Sequence, residues 1–234
     1  MSENGPVYEL RRYRLQPGMR EALISLFERE FVEPQEEAGM VLHGFYRDRD
    51  DEDAFVWMRS FPDLESRSAA LAAFYGGPVW RKWGAEANAT MLNSDNVLLL
   101  RGSGSISPFT EKYGAGGIVT ISTASLAPDT ELGFAAEWER SVLPLLKKCG
   151  ARIDAAFVSD RRPNPFPRLH VREGETATVW VASFRDEDSL AVFEEKLSRS
   201  AEWSGAVFPW LDRQLWRPLE TAKLTPTARS RHGW

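Results

Sequence analysis

The chain repeats itself. VYELRRYRLQP (Val7 to Pro17) and IVTISTASLAP (Ile118 to Pro128) are extended runs that both end in Leu-x-Pro, 111 positions apart. The same offset lays Ala38-Gly39-Met40 on Cys149-Gly150-Ala151. Further on, FVWMRSFPD (Phe55 to Asp63) matches TVWVASFRD (Thr178 to Asp186) at an offset of 123. The twelve extra residues fall in Arg161 to Glu175, whose RRPNPFPR core is too rich in proline for a helix or an inner strand. Three blocks in constant order point to a duplication, and self-similarity at a fixed spacing restricts architecture more than any local signal does.

Each copy reads strand, helix, strand, strand, helix, strand. Val7 to Leu15 alternates, and Pro17-Gly18 ends it. Met19, Leu23, Leu26, Phe27 and Phe31 then follow at helical spacing up to Gly39, with Pro34 disturbing the last turn. Met40 to Asp48 and Ala54 to Phe61 are two strands. Asp63 caps a helix over Leu64 to Tyr75, Val79 to Ala89 is a shorter helix, and Asp95 to Arg101 is the closing strand. In the second copy Ala135, Trp138, Val142, Leu145 and Leu146 mark one helix, and Asp186 caps another. Gln214 to Leu219 is the expected last strand.

The boundaries that follow are 1–102 for the first unit, 103–116 for a Gly/Ser-rich linker, 117–220 for the second unit and 221–234 for a tail. The tail's RSRH reads as a solvated end. The βαββαβ order is the ferredoxin-like split motif, with helices on one face of an antiparallel sheet. The fold class expected is α+β: two tandem ferredoxin-like units packing their bare sheet faces together as a dimeric α+β barrel within one chain.

The residues also carry a resemblance. YELRRYRLQPGMREAL, EEAGMVLHGFYRD, FVWMRSFPDLESRSAALAAFYGGPVW and NATMLNSDNVLLLR together resemble the NIPSNAP family of the dimeric α+β barrel superfamily. The likeness is close over Val7 to Arg101 and weaker in the second copy. It implies the barrel and leaves the reaction open, because the superfamily includes cofactor-free monooxygenases, lactone isomerases, polyketide cyclases and haem enzymes. A fold does not choose among these.

Composition removes several classes. One cysteine, Cys149, excludes an internal disulfide and a cysteine-based zinc site, and three histidines (His43, His170, His232) argue against a histidine-rich metal site. A net charge of −5 argues against nucleic-acid binding. No run of 18 apolar residues or secretion-type start is found, so a cytoplasmic protein without membrane association is expected. No cofactor is expected: there is no G-x-G-x-x-G after a strand, no phosphate loop and no convincing haem ligand. The family resemblance and the aromatic content suggest a homodimer.

Candidate site residues come from strand alternation. Glu9, Arg11 and Tyr13 share one face of the first strand, and two charges with a phenol on a covered face need partners. They are expected to line the barrel interior or its mouth, beside Trp57 and Arg59. The 111 offset pairs His43 with Asp154. The catalytic candidates are therefore His43, Arg11 and Glu9, and the substrate-binding candidates are Tyr13, Trp57, Arg59 and Asp154. In this reading an arginine holds an anionic or carbonyl group, His43 serves as acid or base, and Trp57 stacks on an aromatic substrate. The plainer reading is that Glu9 only satisfies neighbouring arginines and His43 is a hydrogen-bonded sheet residue. Trp80 and Trp83, the polar run Asn88 to Asn96, and Cys149 read as packing, capping and structural residues.

Two functions remain open. One is a small-molecule-binding barrel acting on an aromatic or polyketide-like compound inside the first unit, as an isomerase, cyclase, dehydratase or monooxygenase if it is an enzyme. The other is a non-catalytic interaction or structural protein with a packed interior. An enclosed space of roughly 300 Å³ or more that contains Arg11 and His43 favours the first, and an interior filled by Trp57, Phe45 and Phe157 favours the second.

Overall fold

A computed structural model describes residues 5–106, 108–109 and 114–234. In chain order the first half contains β1 (Val7–Leu15), α1 (Arg20–Leu26), α2 (Val32–Glu37), β2 (Val41–Asp48), β3 (Ala54–Phe61), α3 (Leu64–Gly76), α4 (Pro78–Ala89), β4 (Met91–Asn93) and β5 (Val97–Gly102). The second contains β6 (Ile118–Ser125), α5 (Glu131–Glu137), α6 (Leu143–Cys149), β7 (Arg152–Ser159), β8 (Ala177–Phe184), α7 (Glu187–Ser198), α8 (Phe208–Gln214) and β9 (Glu220–Pro226).

Local features recur at the two offsets. A π-helical segment joins α1 to α2 at Phe27–Phe31, and another joins α5 to α6 at Trp138–Val142, 111 residues on. The Asp63 carboxylate accepts the Ser66 N–H (2.7 Å) at the start of α3, and Asp186 accepts from Ser189 (2.8 Å) at the start of α7, 123 residues on. Each satisfies a helix N–H that has no partner within its own helix.

The strands form a closed antiparallel barrel in the order β1-β3-β2-β9-β6-β8-β7-β5, with β5 returning to β1 and β4 appended to the end of β1. Two short seams close it. Tyr46, Arg47 and Asp48 of β2 pair with Pro226, Thr225 and Leu224 of β9; Leu100, Arg101 and Gly102 of β5 pair with Ser159, Val158 and Phe157 of β7. The helices cover the outside, so β3, β6 and β8 are buried at every position.

Three apolar cores result. Leu10, Tyr46, Val56, Met58, Leu98, Leu100, Val119, Ile121, Phe157, Val179, Val181 and Leu224 fill the lumen. Leu23, Phe27, Phe31, Phe45, Phe55, Trp57, Phe61, Leu71 and Phe74 fill the first helix layer; Phe134, Trp138, Leu146, Trp180, Phe184 and Leu211 are prominent in the second.

The expected α+β barrel is present, its sheets joined edge to edge with their helix-free faces packed around one lumen. Other expectations change. The last strand is Glu220–Pro226, so the expected break at 220/221 cuts into β9; Gln214 ends α8, and Leu215 makes only an isolated bridge with Leu126. The tail is not solvated: Ser230 and His232 are buried, the Arg231 N–H donates to the His43 carbonyl (3.1 Å), and Trp234 N–H donates to the Gly116 carbonyl (2.8 Å). In the linker, residues 107 and 110–113 lie outside the described residues, while Phe109 packs on Tyr8, His43, Phe157 and His232.

Candidate functional site

Strand register decides where each candidate side chain goes. Arg11 faces Trp57 across the β1–β3 pair, Glu9 faces Arg59, and Tyr13 faces Phe55. Phe55 and Trp57 belong to the first helix layer, so this whole face of β1 and β3 points away from the lumen. Glu9, Arg11, Tyr13, Trp57 and Arg59 therefore do not line the barrel interior, contrary to expectation. Alternation defines which residues share a face, but both faces of these strands are covered, and the charged one is covered by helices.

There Glu9 is the hub of a buried ionic cluster. Its Oε2 accepts from Arg11 Nη1 (2.9 Å) and Arg59 Nε (2.6 Å), and its Oε1 accepts from Arg67 Nε (2.7 Å). Arg11 Nε donates to the Tyr13 hydroxyl (3.0 Å), Arg59 Nη1 to Gln35 Oε1 (2.8 Å), and Arg67 Nη1 to Asn164 Oδ1 (2.9 Å). The Arg59 guanidinium also lies 4.9 Å from the Trp57 ring centroid, a cation–π distance. Burial would push the Glu9 carboxyl up, but Arg59, Arg11 and Arg67 outweigh it and hold it well below the usual carboxylate range. Arg67 was not anticipated; a lone arginine on a helix gives no sign in sequence that it turns inward.

The lumen has a closed end and an open end. At the closed end His43 and Asp154 sit in β-bulges, where the β2–β3 and β7–β8 registers shift. His43 Nε2 shares a hydrogen bond with Ser60 Oγ (2.8 Å), and Ser183 Oγ donates to Asp154 Oδ2 (2.5 Å). Ser60 and Ser183 are 123 residues apart, so the anticipated pairing of His43 with Asp154 extends to their partners. His232 joins the two halves: its Nδ1 shares a hydrogen bond with the Tyr46 hydroxyl (2.8 Å), and its Nε2 lies 3.1 Å from Asp154 Oδ2. Arg152 Nε also donates to Asp154 (2.8 Å). Residue 44 has to be glycine here, because an added Cβ would lie 1.9 Å from the Tyr46 hydroxyl. Burial, with help from His232 and Arg231, lowers the His43 pKa to about 4. His232 was missed because nothing in a basic tail announces that it folds under a barrel.

At the open end lies a cavity of about 380 Å³. Its walls are Leu10, Val56, Leu98, Ile121 and Ala222, and its rim carries Arg12, Asp48, Asp50, Asp51, Arg172 and Glu220. Arg12 is the lumen-facing neighbour of Arg11, so the β1 face set aside in sequence is the one that reaches the cavity. Arg172 comes from the insertion, whose backbone N–H donates to the Val97 carbonyl (2.8 Å). None of the seven anticipated site residues lines this cavity.

Of the remaining candidates, Trp80 packs with Phe31, Phe74 and Tyr75, Cys149 is buried, and exposed His170 lies 3.2 Å from Asp95. Among the described residues no group of three or more His, Cys, Asp or Glu is placed to hold a metal ion, and no helix is long and apolar enough to cross a membrane.

Residues 8–104 match the NIPSNAP family model. The NIPSNAP match thus covers the half that carries the Glu9 cluster and stops at the end of β5. Solved structures similar over nearly the whole chain include a candidate monooxygenase of Fusobacterium nucleatum (TM-score 0.60, 10% identity, 95% of this chain and 92% of that one). Another is a candidate monooxygenase of Lactobacillus acidophilus (TM-score 0.56, 9% identity, 95% and 94%). A third is an anthrone oxidase-like protein (TM-score 0.62, 9% identity, 100% and 98%). At such identities the likeness is one of fold: beyond the NIPSNAP match, the full double-length barrel recurs in other proteins. No curated protein matches the sequence.

Proposed function

We propose that this protein is a tandem NIPSNAP-like barrel, two ferredoxin-like units in one chain, that binds a small and largely apolar molecule in the open end of its lumen. The observation that carries this reading is the cavity of about 380 Å³ with apolar walls and a polar rim. Its size falls within the range of about 300–1,000 Å³ usual for small-molecule sites. An aromatic or polyketide-like skeleton suits such walls, and the monooxygenase and anthrone oxidase-like names attached to barrels of this fold favour the same class by analogy. Tyr8, Met58, Phe109 and Phe157 pack the other end of the lumen, beside a second space of about 750 Å³ lined by Pro6, Tyr8, Arg101, Pro108 and Asp160. The Glu9 cluster ties the sheet to its helices.

The neutral dye N-phenyl-1-naphthylamine tests this by its fluorescence gain on leaving water. It should bind the wild type and bind Ile121→Trp, in which the added ring fills the lumen, more than about ten-fold more weakly, a loss of roughly 1.4 kcal/mol or more. A folded Ile121→Trp variant, judged by circular dichroism, that binds the dye as the wild type does would overturn the assignment.

A further inference from the structure

We infer that the barrel mouth selects a ligand with a cationic head, an amine carried on an apolar body. This rests on the lumen being the binding site, and concerns what its rim accepts. Six charged side chains line the mouth: Arg12 and Arg172 against Asp48, Asp50, Asp51 and Glu220. Both arginines are committed. Arg12 donates through Nη1 to Asp48 and through Nη2 to Asp51 (3.0 Å), and Arg172 pairs with Glu175 (3.0 Å) while reaching Asn96 Oδ1 (3.3 Å). Asp48 is committed too, because its Oδ1 accepts the N–H groups of Asp50 (2.9 Å) and Asp51 (3.1 Å). Arg20 stands behind the rim with Nη1 on the backbone carbonyls of Asp48 and Asp51 (2.8 and 3.0 Å), fixing the loop.

What is left unpaired is acidic. Among the described residues the carboxylates of Asp50 and Glu220 have no hydrogen-bond or ion-pair partner. Glu220 of β9 stands opposite Thr123 of β6, on the face that turns into the lumen. Thr123 is only 7% exposed, and its hydroxyl makes no hydrogen bond. The residue is held in the wall while its unpartnered hydroxyl faces the cavity, so a ligand group can pair with it there. An ammonium brings only donors, which suit a hydroxyl oxygen and two free carboxylates. A carboxylate would meet the same two charges with no free guanidinium to offset them. Low-dielectric walls beneath a rim with a net negative charge concentrate that preference, and repulsion of the wrong head is part of the selectivity.

The experiment displaces N-phenyl-1-naphthylamine with 2-naphthylmethylamine, 2-naphthylmethanol and 2-naphthoate, three ligands with one body and different heads. The amine should bind at least about ten-fold more tightly than the carboxylate at low salt, and the gap should shrink at high salt. Asp50→Asn combined with Glu220→Gln should erase the gap between the amine and the carboxylate. If the alcohol displaces the dye but the carboxylate binds as well as the amine, the head-group assignment fails and the lumen site stands. If none of the three displaces the dye, both fail.

Discussion

In the first half of the barrel the space between sheet and helices holds Glu9, Arg11, Arg59 and Arg67, all buried. At the equivalent positions of the second half stand Thr120, Ser122, Ala182 and Leu190, also buried. Trp57 and Trp180 occupy one further equivalent pair unchanged. One backbone plan, down to its π-helical segments and helix caps, is thus filled by a charged network on one side and by small or apolar side chains on the other. The fold does not require the charges. Such a network is costly to break and gains little over apolar packing of similar volume.

That contrast can be broken most sharply at its hub. Glu9→Gln leaves three buried guanidiniums without an anion and should cost on the order of 3–5 kcal/mol in denaturant unfolding. Replacing all four cluster residues by their second-half equivalents, with Glu9→Thr, Arg11→Ser, Arg59→Ala and Arg67→Leu together, should cost less than Glu9→Gln alone. If the quadruple variant is the worse of the two, the network is a net stabiliser and the comparison misleads.

A smaller effect separates His43 from Asp154, the two bulge residues. Because burial lowers the His43 pKa to about 4, the folded state keeps this ring neutral while the unfolded chain takes up a proton near 6.5. Its contribution is therefore complete above about pH 6.5 and is lost as pH falls towards 4, on the order of 3 kcal/mol. His43→Gln should remove that slope from a plot of unfolding free energy against pH; an unchanged slope would assign it to other groups. The smallest test is one of equality. Asp63→Ala and Asp186→Ala each remove one equivalent helix cap and should each cost about 1 kcal/mol. Unequal costs would show that the halves differ in stability where their geometry agrees.

The repeat made most of the architecture legible, because strands β1, β2, β3, β6, β7 and β8 carry dense apolar or β-branched runs, and Asp63 and Asp186 are clear caps. β9 was misplaced because ETAKLTP alternates weakly, and because nothing local tells that it closes the barrel against β2. The side of the sheet on which Glu9 and Arg11 lie was not legible at all. Alternation sorts side chains into two sets, and when both faces of a sheet are buried neither set looks like the outside. The cavity residues were passed over for the same reason: Arg12 resembles a surface arginine, and Asp50 and Glu220 look like ordinary solvated acids. His43 and Asp154, matched in sequence by the 111 offset although the residue types differ, both sit at β-bulges with a serine partner.

The two seams have a consequence for synthesis. β2 finds its outer neighbour in β9 and β5 finds its own in β7, so each half lends a strand to the free edge of the other. A chain emerging from the ribosome exposes the outer edge of β2 until residues 220–226 follow, well over a hundred residues later. Through that interval an unpaired strand edge is open to pairing with another nascent chain. Yield in the cell should therefore depend on what shields that edge during translation more than on the stability of the finished barrel.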